Sequence, residues 1–189
     1  AVRTFVARGG GFIGVGDPTY WPGDGACFRL SDVLGVDREI GWSLSTDRYP
    51  NVVDSHFITD GLALEVGPVA PEIVPVCDDT EVLELDDGSI HAAVHTLGKG
   101  RAVYLAGLPY TVDNSRLLHR AIWWAAGRDD EFADQFIADD PRVETACYDE
   151  AGLLLVTNLS FDEVTTTISG LDDEVTLAPA GSAWINISA

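Results

Sequence analysis

The sequence has 189 residues, 46% of them hydrophobic, which supports a sizeable buried core and argues against a disordered chain. Its 31 acidic residues outweigh 11 basic ones, Lys99 is its one lysine, and the formal charge is −20. Nucleic acid and anionic membrane both require a basic footprint, so the composition excludes them as partners and predicts a solvated acidic surface.

In chain order, Val2, Phe5 and Val6 fall at the i, i+3, i+4 spacing of one helix face, and Gly9-Gly10-Gly11 supplies the stop. This opening reads as the tail of a helix that has been cut. With no Met anywhere, the chain is expected to be a fragment of a longer protein. Phe12 to Val15 is a short apolar run bounded by glycines, as in a strand buried on both faces of a parallel sheet, and Asp17-Pro18-Thr19 ends it in a loop. Phe28 to Leu34 has helical spacing and stops at Gly35; residues 37–53 read as an irregular connection. Three strands are predicted over 81–85, 90–96 and 101–107, joined by hairpin signals at Asp87-Gly88 and Gly98-Lys99-Gly100.

The clearest helix covers 112–126, with Asp113 near its start, Leu117, Leu118, Ala121, Ile122 and Ala125 on its apolar face, and Gly127 past its end. A shorter helix follows over 129–137, with acids at its positive end, and Pro141 marks a boundary. Beyond it the pattern changes to short strands over 142–148, 153–158, 164–168, 174–177 and 182–187, as in a small β-sandwich. The expected domains are therefore 1–140 and 141–189. No run of 18 apolar residues occurs, so no membrane span is predicted.

Most motifs have a structural reading. Gly9, Gly11 and Gly14 satisfy GxGxxG, yet that fingerprint must follow a strand and open a helix, and here the order is reversed. Cys27, Cys77 and Cys147 form no CxxC pair, and none sits between glycines at a strand-to-helix elbow. They predict reduced thiols, with no disulfide framework and no catalytic nucleophile. His91 and His95 share a strand face roughly 13 Å apart, too far for one metal ion, while His56 and His119 stand alone. No metal constellation is expected. The pairs Asp78-Asp79, Asp86-Asp87, Asp129-Asp130, Asp139-Asp140 and Asp172-Asp173 lie at turns or helix ends, where Asp satisfies backbone donors. Asn158-Leu159-Ser160 and Asn186-Ile187-Ser188 match the glycosylation sequon without evidence of secretion. The better functional candidates are Asp17, Trp21 and Tyr110, on loops where parallel strands would end and where ligands of open α/β sheets gather.

Three blocks taken together carry a resemblance: residues 9–19 (GGGFIGVGDPT), residues 31–37 (SDVLGVD) with 41–49 (GWSLSTDRY), and Gly98-Lys99-Gly100-Arg101 through Gly107-Leu108-Pro109-Tyr110 and Asn114-Ser115-Arg116. In order and spacing they resemble the rear portion of the bacterial β-galactosyl-N-acetylhexosamine (lacto-N-biose) phosphorylases, glycoside hydrolase family 112, over about residues 1–127. The tail resembles that family's C-terminal region more loosely.

The resemblance implies an α/β amidotransferase-like (flavodoxin-like) domain, incomplete at its N-terminus, followed by a small all-β sandwich domain. It also implies an inverting phosphorolysis of a β-galactoside to α-galactose 1-phosphate, with inorganic phosphate as co-substrate and no cofactor. One carboxylic acid protonates the leaving oxygen. That acid and the phosphate-holding arginines belong to the family's N-terminal barrel, so no catalytic residue is carried over to this chain. The implied partners are that barrel, a second copy in a homodimer, and a galactosyl disaccharide; the implied compartment is the cytoplasm. Asp17, Trp21 and Tyr110 would then edge the substrate pocket or an interdomain seam. The alternatives are a stand-alone carbohydrate-binding or scaffolding module and, disfavoured by the missing elbow nucleophile, a glutamine amidotransferase-like enzyme.

Overall fold

Three consecutive strands organise the first half of the chain: β7 (Glu81–Asp86), β8 (Ser89–Leu97) and β9 (Gly100–Leu105). The computed structural model describes residues 1–23, 27–39, 49–65, 72–86 and 88–187. Gly88 and Gly98 take φ of +82° and +66°, the left-handed geometry that closes tight turns, and the three strands form an antiparallel meander. Asp87 lies outside the described residues, as does the sequence block 41–48. Two further strands join at the edges, each parallel to its neighbour. These are β1 (Gly11–Val15) against β9 and β5 (Asn51–Val52) against β7, giving the order β1-β9-β8-β7-β5.

Helix α1 (Val2–Ala7) precedes β1, but of its apolar stripe only Val6 is buried; Phe5 and Val2 face outward. The predicted helix over 28–34 splits. Phe28 pairs in a two-stranded ribbon of β2 (Tyr20–Trp21) with β3 (Cys27–Phe28), and one turn of helix, α2 (Ser31–Leu34), remains before Gly35 at φ +75°. Within the predicted irregular stretch, β4 (Val36–Arg38) pairs antiparallel with β6 (Ile73–Pro75). Helix α3 (Val112–Ala125) has Thr111 as its cap, whose hydroxyl accepts from Asn114 N at 3.2 Å.

The sheet carries an apolar cluster on each face. One gathers Val6, Phe28, Val33, Leu34, Ile73, Ala93, Ala102 and Tyr104. The other gathers Ile58, Val94, Val103, Leu105 and the α3 stripe Leu117, Ala121 and Ala125, at the i, i+4, i+8 spacing that docks a helix.

The expected α/β amidotransferase-like (flavodoxin-like) class is corrected by this topology. A doubly wound fold needs successive parallel strands joined by crossover helices. Here β7, β8 and β9 are joined by turns too short for any crossover, and the described helices are few, of six, four and 14 residues. Among the described residues, strands far outnumber helices. Among the described residues β1 has β9 as its one strand neighbour, so there it stands at an edge of the sheet and not between two parallel partners.

The chain divides into two units, Ala1–Asp129 and Asp130–Ala189, the second starting ahead of Pro141. The predicted helix over 129–137 is a 3₁₀ helix, Asp129–Asp134. In the second unit β10 (Val143–Tyr148), β11 (Leu153–Asn158) and β14 (Ser182–Asn186) form one antiparallel sheet, and β12 (Val164–Thr166) pairs with β13 (Val175–Leu177). Leu154, Val156, Val164, Ile168 and Leu177 share its core. Asn158 is buried. Its amide donates to Asp162 O (2.7 Å) and Ala178 O (3.0 Å) while its carbonyl accepts from Ser160 N (2.9 Å), so this sequon asparagine is committed to a turn.

Candidate functional site

Strand β1 delivers its loop beside the end of its parallel neighbour, and Gly16 N donates to Leu105 O at 2.8 Å. Pro18 then folds back over Gly14, where a Cβ would lie 2.8 Å from the Pro18 ring, so the fold-back requires glycine. Thr19 adopts φ +62°, a conformation costing a non-glycine residue about 1 kcal/mol. Two bonds offset that strain: Leu30 N donates to Thr19 Oγ1 and Arg29 N to Thr19 O, both at 3.2 Å. The loop is thereby fixed against the β2–β3 ribbon. Asp37 ties the ribbon to β4, accepting from Phe28 N at 2.7 Å and from Arg38 N at 2.8 Å.

On this frame the cations and rings stack. The Arg38 guanidinium lies 4.2 Å from the centroid of the Tyr20 ring, and Arg29 lies 4.3 Å from that of Trp21, each at cation–π distance. Among the described residues Arg38 Nε is buried without a hydrogen-bond partner, and it pairs with Asp17 Oδ1 at 3.8 Å. Beneath them Tyr104 is fully buried, packed on Phe28 at 5.9 Å between centroids. Burial, reinforced by Asp17 and partly opposed by Arg38, pushes its phenol up and keeps it a neutral donor.

Of the three sequence candidates, the structure places Asp17 and Trp21 in this one cluster. Tyr110 is fully exposed and takes part in none of these contacts. Arg29, Arg38 and Tyr104 were not singled out from the sequence. An arginine three residues after the Gly35 stop and a tyrosine within an apolar run carry no motif, and their meeting depends on β4 and β9 lying beside the β1 loop. Chemically, the cluster offers a half-exposed indole face, guanidinium donors and a carboxylate acceptor. That combination suits a polyhydroxylated ring, with the apolar face on Trp21 and the hydroxyls directed to Asp17 and the arginines.

Residues 1–130 match the family described as lacto-N-biose phosphorylase central domain. A 1,3-β-galactosyl-N-acetylhexosamine phosphorylase of Lachnoclostridium phytofermentans is 39% identical over 180 residues, covering 94% of this chain and 25% of that protein. The enzyme of the same name from Bifidobacterium longum subsp. longum is 32% identical over 221 residues, covering 97% and 29% respectively. The chain therefore spans about a quarter of the length of the curated relatives it matches.

Among solved structures, the chain is similar in fold to the cold-adapted β-galactosidase from Rahnella sp. R3, with a TM-score of 0.53 and 21% identity over 97% of this chain and 29% of that one. It is likewise similar to Gan42B, a GH42 β-galactosidase from G. stearothermophilus, with a TM-score of 0.53 and 15% identity over 97% of this chain and 28% of that one. The fold likeness thus lies with GH42 β-galactosidase domains, in keeping with the correction made above from topology.

Proposed function

The chain belongs to the lacto-N-biose phosphorylase family, and on that premise we propose that it is the non-catalytic rear portion of an inverting phosphorylase acting on β-galactosyl-1,3-N-acetylhexosamine. The observation that supports this most is the 39% identity across 94% of the chain to a protein of that name of which it spans only a quarter. In the proposed reaction an oxygen of inorganic phosphate forms a bond to the anomeric carbon as the bond to the leaving N-acetylhexosamine oxygen breaks. A carboxylic acid supplies the proton to that oxygen, giving α-galactose 1-phosphate. The acid and the phosphate-binding arginines are assigned to an N-terminal barrel, which this chain would buttress in the cytoplasm, within a homodimer.

In this reading Asp17 and Trp21 stand at the edge of the substrate pocket or at the seam with the barrel. The cation–π stacking of Arg29 and Arg38 holds the two arginines in place there, and Tyr110 belongs to the same seam. Phosphorus NMR of the chain with galactosyl-β-1,3-N-acetylglucosamine and phosphate tests the assignment. The expected result is no galactose 1-phosphate from the chain alone, and product once it is joined to the N-terminal portion of the L. phytofermentans relative. Product from the chain alone overturns it.

A further inference from the structure

Apart from the β1 loop cluster, a second group of side chains converges at the turn between β6 and β7. His95, on β8, is buried, with Nδ1 2.9 Å from Val33 O at the end of α2 and Nε2 3.1 Å from Asp79 Oδ1. Cys77 completes the group, and one ligand atom from each of the three lies within 4.8 Å of the others. From sequence these residues formed no metal motif, because Cys77 and Asp79 are separated from His95 by a whole strand and a hairpin.

The hydrogen bonding around the imidazole is informative. The Val33 carbonyl can only accept, so Nδ1 carries a proton and donates to it. The ring's other nitrogen then faces a carboxylate oxygen, also an acceptor, at 3.1 Å. Two acceptors at that separation require a cation between them, either a proton on Nε2 or a metal ion. The sulfur of Cys77 beside both favours the metal. An imidazole whose far N–H is held by a backbone carbonyl, together with a thiol and a carboxylate, is the N, S, O donor set of zinc, whereas calcium and magnesium favour oxygen ligands throughout.

The surrounding frame is built to hold these donors. Thr80 N closes the turn onto Cys77 O at 3.2 Å. Gly35 O, just past α2, accepts from both Thr80 Oγ1 and Val76 N at 2.9 Å, pinning the turn to the helix end. Around tetrahedral zinc, N and O ligands sit roughly 3.3 Å apart and sulfur slightly farther. The Asp79–His95 separation is thus nearly that of a loaded site, and a side-chain rotation brings the sulfur in. The Asp79 side chain is 70% exposed, and a cleft of about 210 Å³ lined by Tyr49, Asn51, Cys77, Asp78 and Thr80 adjoins the group, giving an entry path and room for a fourth ligand.

We propose that Cys77, Asp79 and His95 form a zinc site with a water as fourth ligand, clipping the β6–β7 turn to β8. Binding releases one proton from the Cys77 thiol, and the thiolate and the carboxylate together neutralise the ion's two charges. Before loading, burial and the carboxylates of Asp79, Asp32 and Asp78 hold that thiol up in its protonated form.

The test loads the 189-residue chain with zinc sulfate, removes unbound metal by gel filtration and counts zinc by plasma mass spectrometry. A parallel sample takes cobalt(II) for absorption spectroscopy. The expected result is about one zinc per chain and a tetrahedral cobalt spectrum with a thiolate charge-transfer band. C77S loses that band and weakens zinc binding at least about tenfold, while C27S and C147S keep both. Overturning results are sub-stoichiometric zinc, a cobalt spectrum without the thiolate band, or a band that survives C77S. Each leaves a proton between His95 and Asp79. Should C77S fail to fold, the cobalt spectrum of the unsubstituted chain and the two other cysteine variants still decide.

Discussion

Replacing Gly35 by alanine measures what one close approach in the first unit contributes to stability. At φ +75° the backbone is left-handed, so any side chain there costs about 1 kcal/mol, partly offset by the smaller entropy of the unfolded alanine chain. The added Cβ would lie 2.3 Å from Thr80 Oγ1 and 2.8 Å from His95 Cβ. The first contact breaks the buried Thr80 Oγ1 to Gly35 O bond, worth about 1–2 kcal/mol once the hydroxyl is left unpaired. The second meets a carbon fixed to the backbone of β8, an overpacking of about 1–3 kcal/mol. Together these predict a loss of about 3–5 kcal/mol. Gly61→Ala is the control, since Gly61 has φ +69° with nothing within 4 Å of the added carbon and should lose only the backbone part. Urea unfolding of both variants, followed by tryptophan fluorescence, gives the difference. Equal losses for the two would refute the packing of α2 and Thr80 against His95.

Three other outcomes are expected. Leu154→Ala removes a fully buried side chain from the second unit and should cost about 2–5 kcal/mol; the transition seen by Trp184 should move, and an unmoved one would contradict that core. Burial lowers the His56 pKa, opposed by Glu81, Asp129 and Asp60. Its stabilising neutrality is therefore present above the unfolded value of 6.5 and is lost as pH falls toward the lower folded value. His119 adds in the same direction. The urea midpoint should drop between about pH 7.5 and about pH 5, with a shallower slope in His56→Gln, and identical slopes would dismiss the assignment. In a complete phosphorylase carrying this portion, alanine at Asp17 or Trp21 should raise the KM for disaccharide roughly tenfold, about 1.4 kcal/mol of binding. Unchanged kinetics in both variants would remove the cluster from the pocket edge.

The sequence by itself determined the features that depend on local spacing. Gly88 and Gly98 announced the two hairpins because only a residue free of Cβ strain closes such turns cheaply, and the apolar stripe of Leu117, Leu118, Ala121, Ile122 and Ala125 announced α3, of which Leu117, Ala121 and Ala125 enter the core while Ile122 is half-exposed. The three blocks running from Gly9 to Arg116 were enough to indicate the family. Periodicity was weaker where elements are short. Phe28 to Leu34 has helical spacing, yet Phe28 gains more by pairing in β3 and packing on Tyr104, leaving α2 a single turn.

What only the tertiary structure decided was how the strands outside the two hairpins join the sheet, and side-chain company. Parallel and antiparallel strands share one period of side-chain alternation, so no pattern within β1 or β5 shows that each joins the antiparallel meander in parallel, β1 beside β9 and β5 beside β7. Asp17 was legible as a strand-end residue, but its neighbours Arg38 and Tyr104 arrive from other strands. His95 reaches Val33 across 62 positions and Asp79 across 16. A backbone hydrogen bond or a tight turn is set by residues adjacent in sequence, whereas a polar cluster forms only after the pairing register has brought distant side chains to one face of the sheet.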